Sequence, residues 1–449
     1  MPPCGPNIGQ HSEHDAGGVF QQRGPMKTLF VNGQVWDGEA DRAVAADVLV
    51  DDRRITAVGS PGSVLREDAR IIDATGTTIM PGMVEAHGHL PFPQNTMYMT
   101  QHEDTPIEEL VLSTVHNARI MIDHGFTGVI GAGSPRLRIE LSIRNEINAG
   151  RLPGPRMLAS SPTITATGGL NDTAQLHQGR SPCAMVIDGP IEARRAVRTA
   201  FREGVDVIKV NISGDDLVIR PAGRVTTLAP DEVASIAETA RQLGLKLVAH
   251  ARSTESIKLA LRNDFLLVHH ADFCDIEALD MFEARKAGVF TTPSIGFLHN
   301  LRYEAEAFGF GPAAVEALGV PQHMEENIRT HTELRKRGVK ALIGGDYGLP
   351  WQHHGTNARD IEHFTKYLGY SPVEALRCAT RYGYEAMGLG QELGLVRQGF
   401  LADMIVVTGD PTVDVRLLQD SANLRCIIKN GNFHKLALPE AGSCPGDQE

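Results

Sequence analysis

Cysteine is sparse and never closely spaced. The six thiols, Cys4, Cys183, Cys274, Cys378, Cys426 and Cys444, are scattered without a CxxC pair. That argues against a disulfide framework and for reduced thiols in a cytoplasmic protein. Long hydrophobic runs are missing as well: no stretch reaches the roughly 18 apolar residues of a membrane span. The first 25 residues, rich in Gly, Pro, Gln and His, lack the apolar centre of a signal peptide. Basic charge is outnumbered, with 43 Lys and Arg against 55 Asp and Glu and a formal net charge of −12. A nucleic-acid or anionic-membrane partner would want a basic patch, so neither is expected. No Gly-rich phosphate fingerprint follows an early strand, which argues against a doubly wound nucleotide-binding sheet.

What is present is enough apolar sequence, 42% of 449 residues, to bury a large core. Short alternating strands with turns run from Lys27 to Met80: Thr28–Gly33, Asp47–Asp51, Arg54–Val58 and Thr77–Met80. Asn32-Gly33 is a tight-turn signal between such strands. The same texture returns at Ala402–Val407 and Arg425–Gly431. Between them, apolar β-branched runs near 83–87, 127–132, 155–160, 205–212, 245–250, 265–270, 288–293 and 339–345 alternate with amphipathic stretches such as 191–203, 230–243 and 253–263. Eight strands alternating with helices predict an α/β fold, a (β/α)₈ TIM-like barrel. The expected organisation is a flexible tail over 1–25, a composite β-sandwich from 26–80 and 395–436, a barrel over 81–394 and a flexible tail over 437–449.

Lys209, in Asp206-Val-Ile-Lys-Val-Asn-Ile212, lies inside an apolar run where a bare ammonium is costly to bury. A buried lysine can escape its charge by reacting with carbon dioxide to give a carbamate, an anion able to bridge two metal ions. An ordinary rim lysine has the same local sequence, so its company decides. His87 and His89, one residue apart on a strand, point to the same side. His250 ends Leu245-Lys-Leu-Val-Ala-His, His270 ends Phe265-Leu-Leu-Val-His-His, and Asp346 follows Ala341-Leu-Ile-Gly-Gly. Each alone reads equally as a hydrogen-bonded rim residue or a helix cap. Together, at strand ends that converge on one barrel face, they form the nitrogen and oxygen set suited to zinc or a similar divalent ion.

The motifs Met80-Pro-Gly-Met-Val-Glu-Ala-His-Gly-His89, Val207-Ile-Lys-Val210, Val248-Ala-His-Ala251, Val268-His-His-Ala271 and Gly344-Gly-Asp346 resemble the amidohydrolase superfamily in its binuclear-metal subtype. The resemblance runs from about Met26 to Lys435 and includes Leu395–Val407, which looks like the family's return to its β-sandwich. It implies two divalent ions, zinc first, with cobalt or manganese as alternatives. His87, His89 and Asp346 would hold one ion, His250 and His270 the other, and N6-carboxylated Lys209 would bridge them. His269 is read as a neighbour facing the opposite way, because adjacent strand residues alternate. Metal-activated water would attack a carbonyl carbon, with Asp346 taking the proton and passing it to the leaving nitrogen. A homo-oligomer acting on a small molecule is expected.

The segments Gly344–Gly348, His354–Glu362 and Ser371–Leu376 resemble the branch of prolidase-like and ochratoxinase-like amide hydrolases and of phenylurea and thiocarbamate hydrolases. Two departures stand out. Leu170 replaces the histidine of a Thr-Gly-Gly-His loop in Thr165–Asp172, which makes the pocket more apolar. Arg252 stands where relatives often have a second histidine; it is expected to bind a substrate carboxylate or carbonyl, or else to form a surface ion pair. Phe92, Met97, Tyr98, Met99, Phe297, Tyr303, Tyr347 and Trp351 make the rim loops apolar and aromatic. Such a rim favours a bulky, partly aromatic substrate. His353 and His354 are candidates for substrate contact or proton relay, or simply lie in a solvated loop. The expected activity is therefore hydrolysis of an amide, carbamate or urea C–N bond. Lactone or ester hydrolysis and deamination are the rivals within the superfamily; a non-enzymatic assembly module fits poorly with six filled ligand positions.

Overall fold

A computed structural model of the chain describes residues 27–94, 103–173, 175–179, 181–215 and 222–441. Two sheets form from the two ends of the sequence. One has the order Arg54–Gly59, Asp47–Asp51, Lys27–Val31, Ala69–Asp73. The other runs Asn432–Leu436, Leu424–Lys429, Met404–Thr408, Thr77–Pro81, Gln34–Val35, Val44–Ala45. Phe30, Val48, Ile55 and Ile72 from the first sheet share one buried cluster with Val35, Ile79, Val406 and Ile428 from the second. The Asn32-Gly33 turn does form, with Asn32 at φ 63°. It closes no hairpin, however. It hands the chain from one sheet to the other, and Gly33 is needed because a Cβ there would meet the Ala74 Cβ at 2.8 Å.

The middle of the chain is α/β with parallel strands. Met83–Gly88, Phe126–Gly131 and Arg156–Leu158 make a three-stranded sheet. A seven-stranded sheet orders Ala184–Ile187, Thr163–Ala166, Val207–Asn211, Lys246–Ala251, Leu267–His270, Phe290–Thr292 and Lys340–Ala341. The strands read as near-continuous apolar runs because both faces are covered; Val207–Asn211 is buried throughout. Two contacts join the sheets, one at the Lys340–Ala341 edge and one at the start of the interior strand Val207–Asn211. Ala86 N–H donates to the Ile343 carbonyl at 3.1 Å, and Asp206 N–H donates to the Ala159 carbonyl at 2.8 Å.

Helices Pro190–Glu203, Pro230–Gln242 and Thr254–Arg262 fall where the amphipathic pattern puts them. Ser253 caps the last by accepting from the Ser256 N–H, and the Glu232 carboxylate accepts from the Ala229 N–H at 2.8 Å. Two strands escape the pattern. Thr163–Ala166 opens the segment expected to be a loop, and pairs in parallel with Ala184–Ile187. The run expected over 339–345 is regular only at Lys340–Ala341. Gly344 then passes so close to the first strand that a Cβ would sit 2.9 Å from the His87 Cβ.

Candidate metal centre

His87 and His89 both turn toward Asp346, with their Nε2 atoms 3.4 and 3.0 Å from Oδ1. The Asp346 backbone is left-handed, φ 65°. That costly conformation for a non-glycine residue is held by its neighbours. Buried Asp360 accepts from the N–H groups of Gly344 and Gly296, both at 3.1 Å. Ser294 Oγ–H donates to the Gly344 carbonyl at 3.0 Å. The same oxygen lies 3.0 Å from His87 Nδ1. Since its proton is used on Gly344, Ser294 accepts from Nδ1–H, which leaves the His87 Nε2 lone pair facing Asp346. Glu85 accepts from the His87 N–H at 2.9 Å and from Asn357 Nδ2 at 2.8 Å. Burial pushes its carboxyl up to about 8.

His250, His270 and Asp215 form a second group whose candidate donor atoms all lie within 4.8 Å of one another. His250 Nε2 is 3.8 Å from Asp215 Oδ2, and the His250 and His270 rings meet edge-on at 4.5 Å. His270 is wholly buried, and neither ring nitrogen has a hydrogen-bond partner. Leaving a buried polar group unsatisfied costs roughly 1–3 kcal/mol, a cost that coordination of a cation removes. The donor set of imidazole and carboxylate fits a divalent ion of the zinc type.

Lys209 is buried, and burial lowers its ammonium from the ordinary range to about 7, opposed by Asp346 and reinforced by Arg252. Its Nζ lies 2.6 Å from His269 Nδ1. His269 Nε2–H donates to the Ala86 carbonyl at 3.1 Å, so Nδ1 is the acceptor for the lysine. The expectation that His269 faces away is overturned. In register His269 pairs with His250 and His270 with Ala251, so His269 is the residue that regular alternation turns inward. His270 joins it because the strand ends there, with φ 70° at His270 and 50° at Ala271. Burial, followed by neighbouring cationic groups, holds His87, His269 and His270 well below the usual imidazole range and His250 at about 4. At neutral pH these rings are uncharged, the state a metal ligand requires. For Asp346, burial alone would raise the carboxyl. The bond from His89 and the charges of His89, Lys209 and Arg252 outweigh it, and the carboxyl is lowered.

Of the other expected site residues, Tyr98 lies outside the described residues, as do Met97 and Met99. Leu170 is half-buried and its carbonyl accepts from Asn211 at 3.2 Å. Asn211 is two residues beyond Lys209 and on the same strand face. Arg252 is not at the surface. It is buried, donating to Asp215 at 2.8 Å and to Asp272 at 2.6 Å. Phe297, Tyr347 and Trp351 are buried in the packing, and the Tyr347 hydroxyl donates to the Thr356 carbonyl at 3.3 Å. His353 is exposed, whereas His354 is buried with Nε2 3.2 Å from the His89 carbonyl. The solvated-loop expectation therefore holds for the first and fails for the second. Phe92 stacks on His89, ring centroids 4.5 Å apart. Asp215, Ser294 and Asp360 were not legible as site residues. Asp215 carried one signal, an aspartate just past the Lys209 strand; the others carried none.

The Amidohydrolase family profile matches residues 78–433. The chain belongs to the amidohydrolase family. It is a hydrolase acting on C–N bonds. It is 22% identical over 434 residues to the ochratoxinase of Aspergillus niger, spanning 91% of this chain and 86% of that one. Among solved structures it is similar to a Xaa-Pro dipeptidase with methionine bound in the active site, at 26% identity and TM-score 0.80 over 91% of this chain and 100% of that one. It is also similar to a prolidase complexed with N-methylphosphonate-L-proline, at 25% identity and TM-score 0.81 over 92% and 100%. No helix among the described residues is long and apolar enough to cross a membrane. Cys183, Cys274, Cys378 and Cys426 are free and buried.

Proposed function

We propose that this amidohydrolase cleaves the amide bond of an N-acyl amino acid, dipeptide or similarly bulky, partly aromatic small molecule; carbamates and ureas are the neighbouring substrate classes. The observation that carries the reading is the gathering of His87, His89 and Asp346 in one group and of His250 and His270 in a second, with buried Lys209 in electrostatic reach of both. Likeness to a dipeptidase and a prolidase supports amides of amino acids, and Phe92 against His89 supplies an apolar wall. The architecture we propose is a (β/α)₈ barrel over 81–394 with a β-sandwich drawn from 26–80 and 395–436. The two hydrogen bonds that join the parallel sheets, and the sheet that mixes strands from both chain ends, support it.

His87, His89 and Asp346 would hold one divalent ion, and His250 and His270 a second. Zinc is the first choice, with cobalt or manganese as alternatives. Such ions supply Lewis acidity, lowering the pKa of water and polarising a carbonyl. The chain does the rest. Lys209, its ammonium lowered by burial to about 7, attacks in its free-amine form the carbon of carbon dioxide through Nζ and loses a proton, leaving an anionic carbamate. Asp346, ionised at neutral pH, accepts the proton of the attacking water and delivers it to the departing nitrogen. Ser294 fixes the His87 tautomer throughout. Metal analysis of purified protein, coupled to a hydrolysis screen of N-acyl amino acids, anilides, carbamates, ureas and esters, tests the proposal. Turnover of esters alone, or turnover untouched by a chelator, would overturn it.

A further inference from the structure

Each half of the centre owns two imidazoles, and each also owns a carboxylate. Asp346 serves His87 and His89, and Asp215 stands in the corresponding place beside His250 and His270. We propose that Asp215 is a metal ligand, so that the His250–His270 subsite holds a divalent ion even without carboxylated Lys209. This rests on the metal-dependent reading above and extends it to a residue outside the ligand set that the family resemblance implies.

Geometry comes first. Two donors each about 2.1 Å from a tetrahedral ion lie about 3.4 Å apart. The His87–Asp346 and His89–Asp346 separations are 3.4 and 3.0 Å, and His250–Asp215 is 3.8 Å. The second subsite is therefore as close to coordination distance as the first. His270 completes it with two unpartnered, wholly buried ring nitrogens.

Asp215 is also oriented by a hydrogen bond, as ligand carboxylates usually are, and the bond falls on Oδ2, the oxygen nearer His250. Arg252 Nε donates to its Oδ2 at 2.8 Å, and Arg252 is itself anchored. Its other arm donates to Asp272 at 2.6 Å. Asp272 accepts from Asn327 at 2.6 Å and lies 2.8 Å from His323 Nε2. The loop carrying Asp215 is pinned too. Arg252 N–H donates to Ser213 Oγ at 2.9 Å. His250 Nε2–H donates to the Gly214 carbonyl at 2.9 Å, and ligation through Nε2 would exchange that bond for the ion, with the ring proton moved to Nδ1. Lys209, by contrast, turns its Nζ to His269 on the His87 side. Charge agrees with geometry: Asp346, Asp215 and a carbamate bring three negative charges against two divalent cations, which reduces the cost of burying the ions.

The test is metal stoichiometry and affinity, independent of turnover. Zinc and cobalt are titrated into metal-stripped wild type, Lys209→Ala, Lys209→Ala with Asp215→Asn, and Lys209→Ala with Asp215→Glu, with circular dichroism checking the fold of each. Lys209→Ala should still bind close to two ions per chain. Adding Asp215→Asn should weaken one of them by at least about tenfold, and Asp215→Glu, which keeps a carboxylate opposite Arg252, should restore it. If Lys209→Ala alone binds a single ion and the Asp215 changes alter nothing, the assignment of Asp215 is overturned while the metal-dependent reading stands. If wild type binds no metal, that reading itself falls.

Discussion

The imidazoles of His87 and His269 lie stacked, with ring centroids 3.6 Å apart and planes 27° from parallel. One face of a proposed ligand is thus covered by a ring whose own Nδ1 accepts from Lys209. Removing that ring frees His87 to tilt and leaves the lysine amine without a buried partner. His269→Ala should therefore lower kcat at least about tenfold even with metal supplied in excess, since misplacing a reacting group by an ångström costs up to about a hundredfold. Thermal unfolding of the same variant should show a lower midpoint. Wild-type turnover in His269→Ala would leave the stack with packing as its whole purpose.

Asp346 is assigned both to ligation and to proton transfer. Asp346→Asn nearly keeps the shape and removes the basic oxygen. Its kcat should fall at least about a hundredfold and stay low after metal occupancy is restored. A variant within a few-fold of wild type at full occupancy would move the proton to another group, with buried His354 beside the His89 carbonyl the first to examine.

Lys209→Ala should be inactive. Short carboxylic acids with added metal should restore part of the turnover, because an acetate-sized anion can occupy the space of the missing carbamate. Rescue by chloride to the same extent would show that no carboxylate-like bridge is needed.

Glu140, which none of the proposed steps uses, offers a stability test. Burial raises its carboxyl to about 8, with the bond from Ser160 N–H opposing, and one of its oxygens has no partner. Below about pH 4.5 both folded and unfolded chains carry this group protonated. Between about 4.5 and 8 the unfolded chain ionises first, so stability is lost as pH rises, by at most about 1.4 kcal/mol per unit. Above 8 both states are ionised and the loss stops growing. Glu140→Gln cannot ionise, so its advantage over wild type should grow from pH 5 to pH 8, as read by urea midpoints. A difference constant across that range would refute the buried neutral acid.

The strand-and-helix alternation was legible, and the six ligand-type residues stood out because each lies in or just beyond a buried run, where a polar residue has little reason to be unless it works. His269 and His270 mark the limit of such pattern reasoning. Period two holds only while the backbone stays extended, and the left-handed turn at His270 lets two adjacent histidines face one centre. For Arg252 the sequence left substrate binding and a surface ion pair open; a buried ion pair was not foreseen because its partners Asp215 and Asp272 come from two other segments. Ser294 and Asp360 were illegible for the same reason. A serine or aspartate becomes a support only through a partner that folding brings to it, and no local spacing announces that partner.

The strand that carries His87 begins directly after Thr77–Pro81, whose antiparallel partner is Met404–Thr408. Thr78 also donates to the Gly409 carbonyl, 331 residues further on. His87 therefore lies on, and His89 just beyond, a strand whose base is paired antiparallel by residues more than 300 positions further along. Contacts so distant in sequence form late and slowly. Full anchoring of the His87 strand at its base is thus a late event in folding, and a chain cut before Met404 should leave Thr77–Pro81 without its antiparallel partner.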